Sequence, residues 1–300
     1  MMSPASKPTA LSQPEADALL KSVQTQLAEG TFDATNERLI VQLVEGFNDP
    51  RGLTRLGFAE ALGKIGKPAT PALIDGLANH ENEVVRRAAA KTMTLIADPV
   101  TIPTLVHSLL HDDDTVVRGS VVGALAVMGE AAAPVLIEII AAPEYPDSSK
   151  GLATWGLSFV GAAGAAHLYE AVDAEQKEVR SAVVGALTSV VQEEDDPRAM
   201  DAILRALGDS DAMVRSEAAA ALGKLHEAAV VPQLVVLLSD SESDVRKTAA
   251  MALMKIGDVG AIAPIQTALN HEPDDALKPV FRLAIAQLQK NQAEEDDNWD

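Results

Sequence analysis

The stretch Glu83-Val84-Val85-Arg86-Arg87-Ala88-Ala89-Ala90-Lys91-Thr92 decides the fold, because it returns. Its clearest copies are Thr115-Val116-Val117-Arg118-Gly119-Ser120, Ala212-Met213-Val214-Arg215-Ser216-Glu217-Ala218-Ala219 and Ser243-Asp244-Val245-Arg246-Lys247-Thr248-Ala249-Ala250. A basic residue holds the same slot at Arg55, Arg86, Arg118, Lys150, Arg180, Arg215, Arg246 and Lys278, in steps of 31, 32, 32, 30, 35, 31 and 32 residues. A fixed period in this range is the signature of a stacked repeat array.

Residues 81–111 show what one repeat contains. Val84, Val85, Ala88, Ala89, Thr92, Met93 and Ile96 follow helical spacing, which predicts a helix over 83–97. Asp98-Pro99 breaks it. Pro103 then opens a second apolar run through Leu105, Leu109 and Leu110, at a position where a first helical turn tolerates proline. His111-Asp112-Asp113-Asp114 supplies turn and N-cap chemistry. Each repeat is therefore a pair of short helices, and neither buries its apolar face without a stacked neighbour. Gly63, Gly66, Gly223 and Gly257 end helices or let them approach closely. An acid stands four residues before the basic slot in Asp114–Arg118, Asp211–Arg215, Glu242–Arg246 and Asp274–Lys278. That spacing predicts intrahelical ion pairs and a structural role for the basic ladder.

The predicted architecture is all-α: about seven short helix-pair repeats forming one elongated domain over 12–292, since an array grows in one dimension. Residues 1–11 are expected to be a mobile N-terminus and 293–300 an acidic tail. Ser12 is placed to cap a helix over about 13–29, whose Leu19, Leu20, Val23 and Leu27 would cover the open end of the stack.

Composition narrows the function. The formal net charge is −20, and no Lys/Arg cluster offers the electrostatic footprint of a nucleic-acid binder; an acidic membrane surface is disfavoured for the same reason. The charge favours partners with a basic patch. The chain has no cysteine, hence no disulfide, thiolate nucleophile or thiol ligand. No apolar run reaches transmembrane length, and Met1-Met2-Ser3-Pro4 does not open a secretory signal, so a cytoplasmic location is expected. Among the histidines, His107 and His111 stand four apart without a third ligand, so no metal site is assigned; His80, His111 and His271 recur at the inter-repeat turn, where an imidazole can satisfy carbonyls. There is no phosphate-binding loop and no Gly-x-Ser-x-Gly, so no catalytic residue is assigned.

In an array, function is sought where the pattern breaks. The unit 143–172 holds Tyr145, Trp155, Phe159 and Tyr169, four of the nine aromatic residues, together with His167, and lacks the Val-Val-Arg phrase. Five positions beyond the basic slot the residues are Glu60, Lys91, Gly123, Trp155, Gly185, Ala220, Met251 and Leu283. If this column lines the inner curve, Trp155 lies between two glycines, with Phe159 one turn further along the same helix face and Gly119, Gly151 and Ser181 in the adjacent column. The arrangement has two readings: a ring flooring a groove for a flat ligand or a partner's side chain, or a ring whose packing in the native core requires the glycines. Arg87 and Lys91, four apart and outside the structural slot, are candidates to hold ligand carboxylates; Arg51 and Arg55 form a second pair. The candidate ligand- or partner-binding residues on the concave face are thus Trp155, Phe159, Arg87, Lys91, Tyr169 and His167.

The phrase Val84-Val85-Arg86-Arg87-Ala88-Ala89-Ala90-Lys91-Thr92, the Ala61-Leu62-Gly63-Lys64-Ile65-Gly66 ending and the short period resemble HEAT-like repeats. More narrowly, residues 36–290 resemble the cyanobacterial phycobilisome-lyase type, on the segments Asp49-Pro50-Arg51-Gly52-Leu53-Thr54-Arg55, Asn82 to Thr92 and Asp114 to Ser120. The resemblance implies a right-handed α-solenoid with second helices lining the concave face. It implies a bilin lyase or bilin-delivery chaperone, joining a linear tetrapyrrole (a substrate, with no tightly bound cofactor) to a cysteine of a phycobiliprotein subunit, sometimes with a second HEAT-like subunit. The alternative it offers is a non-catalytic scaffold for an iron–sulfur carrier or assembly protein or a phycobilisome component.

Overall fold

The computed structural model describes residues 11–194 and 196–297. The expected mobile segment 1–11 lies outside these apart from Leu11, and residues 298–300 of the expected acidic tail lie outside them as well. The described chain is helical, without strands among the described residues. Helix α1 (Gln13–Glu29) and α2 (Glu37–Glu45) come first. Seven pairs follow: α3 (Gly52–Ile65) and α4 (Thr70–Asn79), α5 (Glu83–Ile96) and α6 (Ile102–His111), α7 (Thr115–Val127) and α8 (Ala133–Ala141), α9 (Asp147–Leu157) and α10 (Ala165–Ala171), α11 (Lys177–Glu194) and α12 (Pro197–Ala206), α13 (Ala212–Leu225) and α14 (Val231–Leu237), and α15 (Ser243–Ile256) and α16 (Ile262–His271). The chain continues in α17 (Lys278–Asp297), so the backbone of the acidic stretch is helical through Asp297.

Contacts group the chain into two compact units, Met1–Gly156 and Leu157–Asp300. In the first, α1 packs on α3, α3 on α5 and α5 on α7, while the second helices α4 and α6 pack on each other. In the second, α11, α13, α15 and α17 pack in series. Helix α1 caps the array as its sequence implies: the Ser12 N–H and hydroxyl both donate to the Glu15 carboxylate, at 2.9 and 2.6 Å, Val23 is buried, and Leu19, Leu20 and Leu27 are half-buried. A Cβ at Gly57 would lie 2.7 Å from Leu20 Cδ2, so this glycine admits the cap. Gly223 serves close packing in the same way, since a Cβ there would meet the Ala252 backbone at 2.8 Å. Gly66 and Gly257 end α3 and α15 at φ of 75° and 84°.

The basic ladder is structural, but by a different pairing from the expected one. Four arginines reach forward to the turn of the next repeat in two-point contacts: Arg86 to Asp112, Arg180 to Asp209, Arg215 to Asp240 and Arg246 to Glu272, all at 2.6–3.0 Å. Each also donates through Nη1 to two carbonyls of the turn before its own helix, as Arg246 does to Asp240 and Ser241. One guanidinium thus satisfies carbonyls of the turn before its own helix and clamps the turn of the next repeat. The acids four residues upstream are otherwise employed: Asp114 and Asp211 accept the Val117 and Met213 N–H as N-caps. At the deviant repeat Arg118 donates to the Leu109 carbonyl at 2.8 Å and to the Ser149 hydroxyl at 2.9 Å.

Among the described residues no single helix is long and apolar enough to cross a membrane. Thr115–Val127 and Gly129–Ala141 pass together by length and composition, but they meet at 115°, and Val117, Val121, Leu125, Leu136 and Ile140 are buried.

Candidate ligand- and partner-binding face

The first helix of each pair buries its Val, Ala and Leu positions and leaves one stripe outward, at positions −2, +1, +5 and +9 from the basic slot. In the first unit this stripe carries Leu53, Leu56, Leu95, Val116, Val127 and Trp155, all exposed, with Leu53 at 84% and Trp155 at 49%. In the second unit it carries Met213, Met251 and Leu283. Of the other exposed large apolar residues described, Val41, Val100 and Val236 lie off the stripe. Apolar side chains left in water on one register of a unit's first helices are candidates for a binding surface.

The glycines near Trp155 differ in what surrounds them. A Cβ placed at Gly119, Gly123 or Gly151 meets nothing within 4 Å. These helix-interior glycines therefore face open space rather than a packed side chain. Gly156, one residue from Trp155, is the contrast: a Cβ there would lie 2.9 Å from Val122 Cγ1 and 3.5 Å from Leu136 Cδ1, so it exists for packing. Gly185 underlies Glu217, whose Oε1 a Cβ would meet at 2.8 Å.

The six candidate residues divide between the units. Arg87, Lys91 and Trp155 belong to the first. Lys91, Gly123 and Trp155 hold the same register position on α5, α7 and α9, so two interhelix spacings, roughly 20 Å, separate the lysine from the indole. Lys91 is exposed. Arg87 is held in a two-point contact with Asp114, at 3.0 and 2.6 Å, which keeps the Asp114 carboxyl down at about 2. A ligand carboxylate would have to displace Asp114 to reach it, which makes Lys91 the more accessible cation. Arg51 is likewise engaged, by Asp49 and Asp17.

Phe159, His167 and Tyr169 belong to the second unit. Phe159 is 60% exposed but lies beyond the end of α9, in the following turn, rather than one helical turn further along the same face. The Val160 N–H closes this turn on the Leu157 carbonyl, Gly161 follows at φ of 63°, and the Ala162 N–H donates to the Glu193 carboxylate at 2.9 Å. Tyr169 and His167 lie on the second helix α10, off the stripe. The Tyr169 hydroxyl donates to Asp196 at 2.8 Å, and the Arg198 guanidinium covers its ring at 4.7 Å from the centroid. Arg198 holds the Asp196 carboxyl well below its usual range, and burial, aided by the Asp196 contact, pushes the Tyr169 phenol up to about 12. The phenol is thus fixed between the Asp196 carboxylate and the Arg198 guanidinium. His167 Nδ1 lies 3.5 Å from Glu170.

A second feature, not singled out by the sequence, is a groove of about 620 Å³ across α11, α13 and α15, between Met213 and Met251. Its register signal is present in the chain, but the methionines read as ordinary apolar positions. Among the histidines, His271 Nδ1 contacts the Thr267 carbonyl at 2.8 Å, as expected, whereas His80 accepts the Asn82 N–H. The His107 and His111 rings lie 4.7 Å apart; no group of three or more His, Cys, Asp or Glu among the described residues is arranged to hold a metal ion.

Similarity to known proteins agrees with this architecture. Residues 37–126, 70–158, 165–235 and 201–286 match HEAT repeats. The chain is 36% identical over 282 residues to the bilin biosynthesis protein MpeU of Synechococcus sp. (strain WH8020), covering 94% of this chain and 95% of that one. The chain belongs to the phycobilisome-lyase type of HEAT-repeat protein. A local match, 35% over 88 residues, links it to the deoxyhypusine hydroxylase of Chaetomium globosum, of which it spans 26%. The structure of importin β shares the fold at a TM-score of 0.53 and 14% identity, over 92% of this chain and 48% of that one.

Proposed function

We propose that this HEAT-repeat protein binds a linear tetrapyrrole on the outward stripe of its first unit and presents it to a cysteine of a phycobiliprotein subunit. The tetrapyrrole class rests on the near full-length similarity to a bilin biosynthesis protein. The site rests on one observation: an indole half in water beside helix glycines that no part of the fold occupies. A flat conjugated ligand needs an aromatic or apolar floor and close backbone approach, which Trp155, Val127 and the glycines at 119, 123 and 151 offer. Lys91 would meet a propionate.

The chemistry asked of the protein is modest. The acceptor's thiolate adds to an ethylidene or vinyl carbon of the bilin; a C–S bond forms, one C=C is consumed, and the proton ends on the adjacent carbon, with no oxidant or reductant. The nucleophile belongs to the acceptor, so a chain without cysteine contributes by holding the two partners in reactive geometry. Bilin is then a substrate and no resident cofactor is required. The proposed compartment is the cytoplasm.

A second reading, a scaffold for a protein partner such as an iron–sulfur carrier or a phycobilisome component, draws on the continuation of exposed apolar residues into the second unit. Co-expression with a bilin-producing pathway and candidate phycobiliprotein subunits tests both. Covalent chromophore seen by zinc-enhanced fluorescence, and dependent on this protein, supports the first reading; co-purification of a partner without chromophore transfer supports the second and refutes the first.

A further inference from the structure

The groove of the second unit carries a different signature from the Trp155 face. Its floor is small: Ala220 and Ala252, with Ser216 and Thr248 between them. The two hydroxyls pair with each other at 2.9 Å, and Thr248 also bonds to the Asp244 carbonyl at 2.9 Å. The floor's polar groups are thus satisfied internally, and what it offers is methyl and methylene surface. Met213 and Met251, both exposed, flank it with flexible, polarisable side chains suited to an incoming apolar residue. The rims are charged in sequence along the helix axis. Glu242, Asp244 and Glu217 stand toward the N-terminal end of α13 and α15 with Lys247 among them, and Lys255 closes the C-terminal end. Lys224, at the register position of Lys255 on α13, is also exposed there. Glu217 is laid across Gly185, where any Cβ would push it away.

We infer that this groove docks an amphipathic helix of a protein partner, running antiparallel to α13 and α15. The eleven residue-to-residue steps from Asp244 to Lys255 span about 16 Å, or three helical turns. An apolar stripe at i and i+4 on the incoming helix seats between Met213 and Met251 over Ala220. Polarity follows from charge. Helices favour acids in their first turn and bases in their last; such a helix matches the groove when its acidic start faces Lys255 and Lys224 and its basic end faces Glu242 and Asp244. The reverse orientation places like charges together at both ends. A polar small molecule is the poorer occupant of the floor, because the Ser216 and Thr248 hydroxyls there are already bonded to each other and to the Asp244 carbonyl. The surface is independent of the tetrapyrrole reading and concerns the second unit alone.

The test uses the full chain and two fluorescein-labelled 15-residue helical peptides of equal composition, with leucines at helical spacing. One carries Glu in its first turn and Lys in its last; the other carries the same charges shared equally between its two ends, so that neither direction of docking matches both rims. Fluorescence anisotropy at low salt is expected to show at least tenfold tighter binding of the first peptide, a preference that shrinks with added salt. Met251→Lys is expected to lower its affinity more than tenfold while the thermal melt stays unchanged, because Met251 is outside the core. Asp244→Lys combined with Glu242→Lys is expected to abolish the preference, because both rims are then basic. Equal binding of both peptides, no binding at millimolar concentration, or indifference to Met251→Lys overturns the inference. Chromophore transfer plays no part in the readout, so failure of the bilin reading leaves this result standing.

Discussion

Replacing Gly119, Gly123 and Gly151 together by alanine separates a binding surface from a structural one. All three lie inside helices, α7 and α9, where glycine is less favourable than alanine by about 0.5–1 kcal/mol per residue. A Cβ at each meets nothing within 4 Å, so no clash offsets the gain. The triple variant should be more stable by about 1.5–3 kcal/mol in urea unfolding, with the slope of the transition unchanged. The same methyl groups stand about 1.5 Å proud of a backbone surface that a flat tetrapyrrole would contact. Bilin binding, read by absorbance of a titrated linear tetrapyrrole, should fall at least tenfold. Gly156→Ala and Gly223→Ala are the contrasting controls: their Cβ atoms would lie 2.9 Å from Val122 and 2.8 Å from the Ala252 backbone, and each should lose about 1–3 kcal/mol. A triple variant that gains stability and keeps full bilin affinity would refute the assignment of this face; one that loses stability would refute the claim that the space is open.

Other perturbations have equally definite outcomes. Trp155→Ala should abolish bilin binding at a stability loss of about 1–2 kcal/mol, less than a buried tryptophan costs because half the ring is already in water; a larger loss with binding intact would return Trp155 to a packing role. Lys91→Glu should weaken bilin binding in a salt-sensitive way and leave the urea midpoint alone, whereas Arg87→Glu should lower the midpoint as well, since it leaves Asp114 without its partner. Arg246→Ala should cost about 3–5 kcal/mol, because it strands the Glu272 carboxylate, whose side chain is 1% exposed; a cost under 1 kcal/mol would show the ladder to be ornamental. Acid should act through the same ladder: Glu272, Asp209 and Asp240 are held below their ordinary values by their arginines, so their contribution is complete above about pH 5 and declines as pH falls through the lowered folded values. Urea midpoints measured from pH 7 to pH 3 should therefore fall only in the acid range, and a midpoint flat down to pH 3 would contradict it.

The period, the helix pairing and the cap were legible in the chain because they are local. The spacing of Val85, Ala89 and Met93 specifies one buried helix face, Pro99 and Pro103 set the turn and the next helix start, and Ser12 with Glu15 closes the first helix; none of these requires knowledge of a distant residue. The recurring slot also marked its arginines as structural. What the sequence could not supply is which atoms meet across stacked repeats. Arg246 has an acid four residues away at Glu242 and another 26 residues away at Glu272, and only the stacking brings the second into two-point contact. In the same way Arg87, unassigned by the repeat pattern, proves to be held by Asp114 at the start of the next repeat's first helix, and Phe159 falls past the end of α9, in a turn closed by the Val160 N–H on the Leu157 carbonyl. The glycines illustrate the division most clearly. Sequence sees Gly123 and Gly156 as equal small residues on two adjacent helices. The tertiary structure sets Val122 and Leu136 against one and nothing against the other, since the space around a Cα depends on which side chains neighbouring repeats place there.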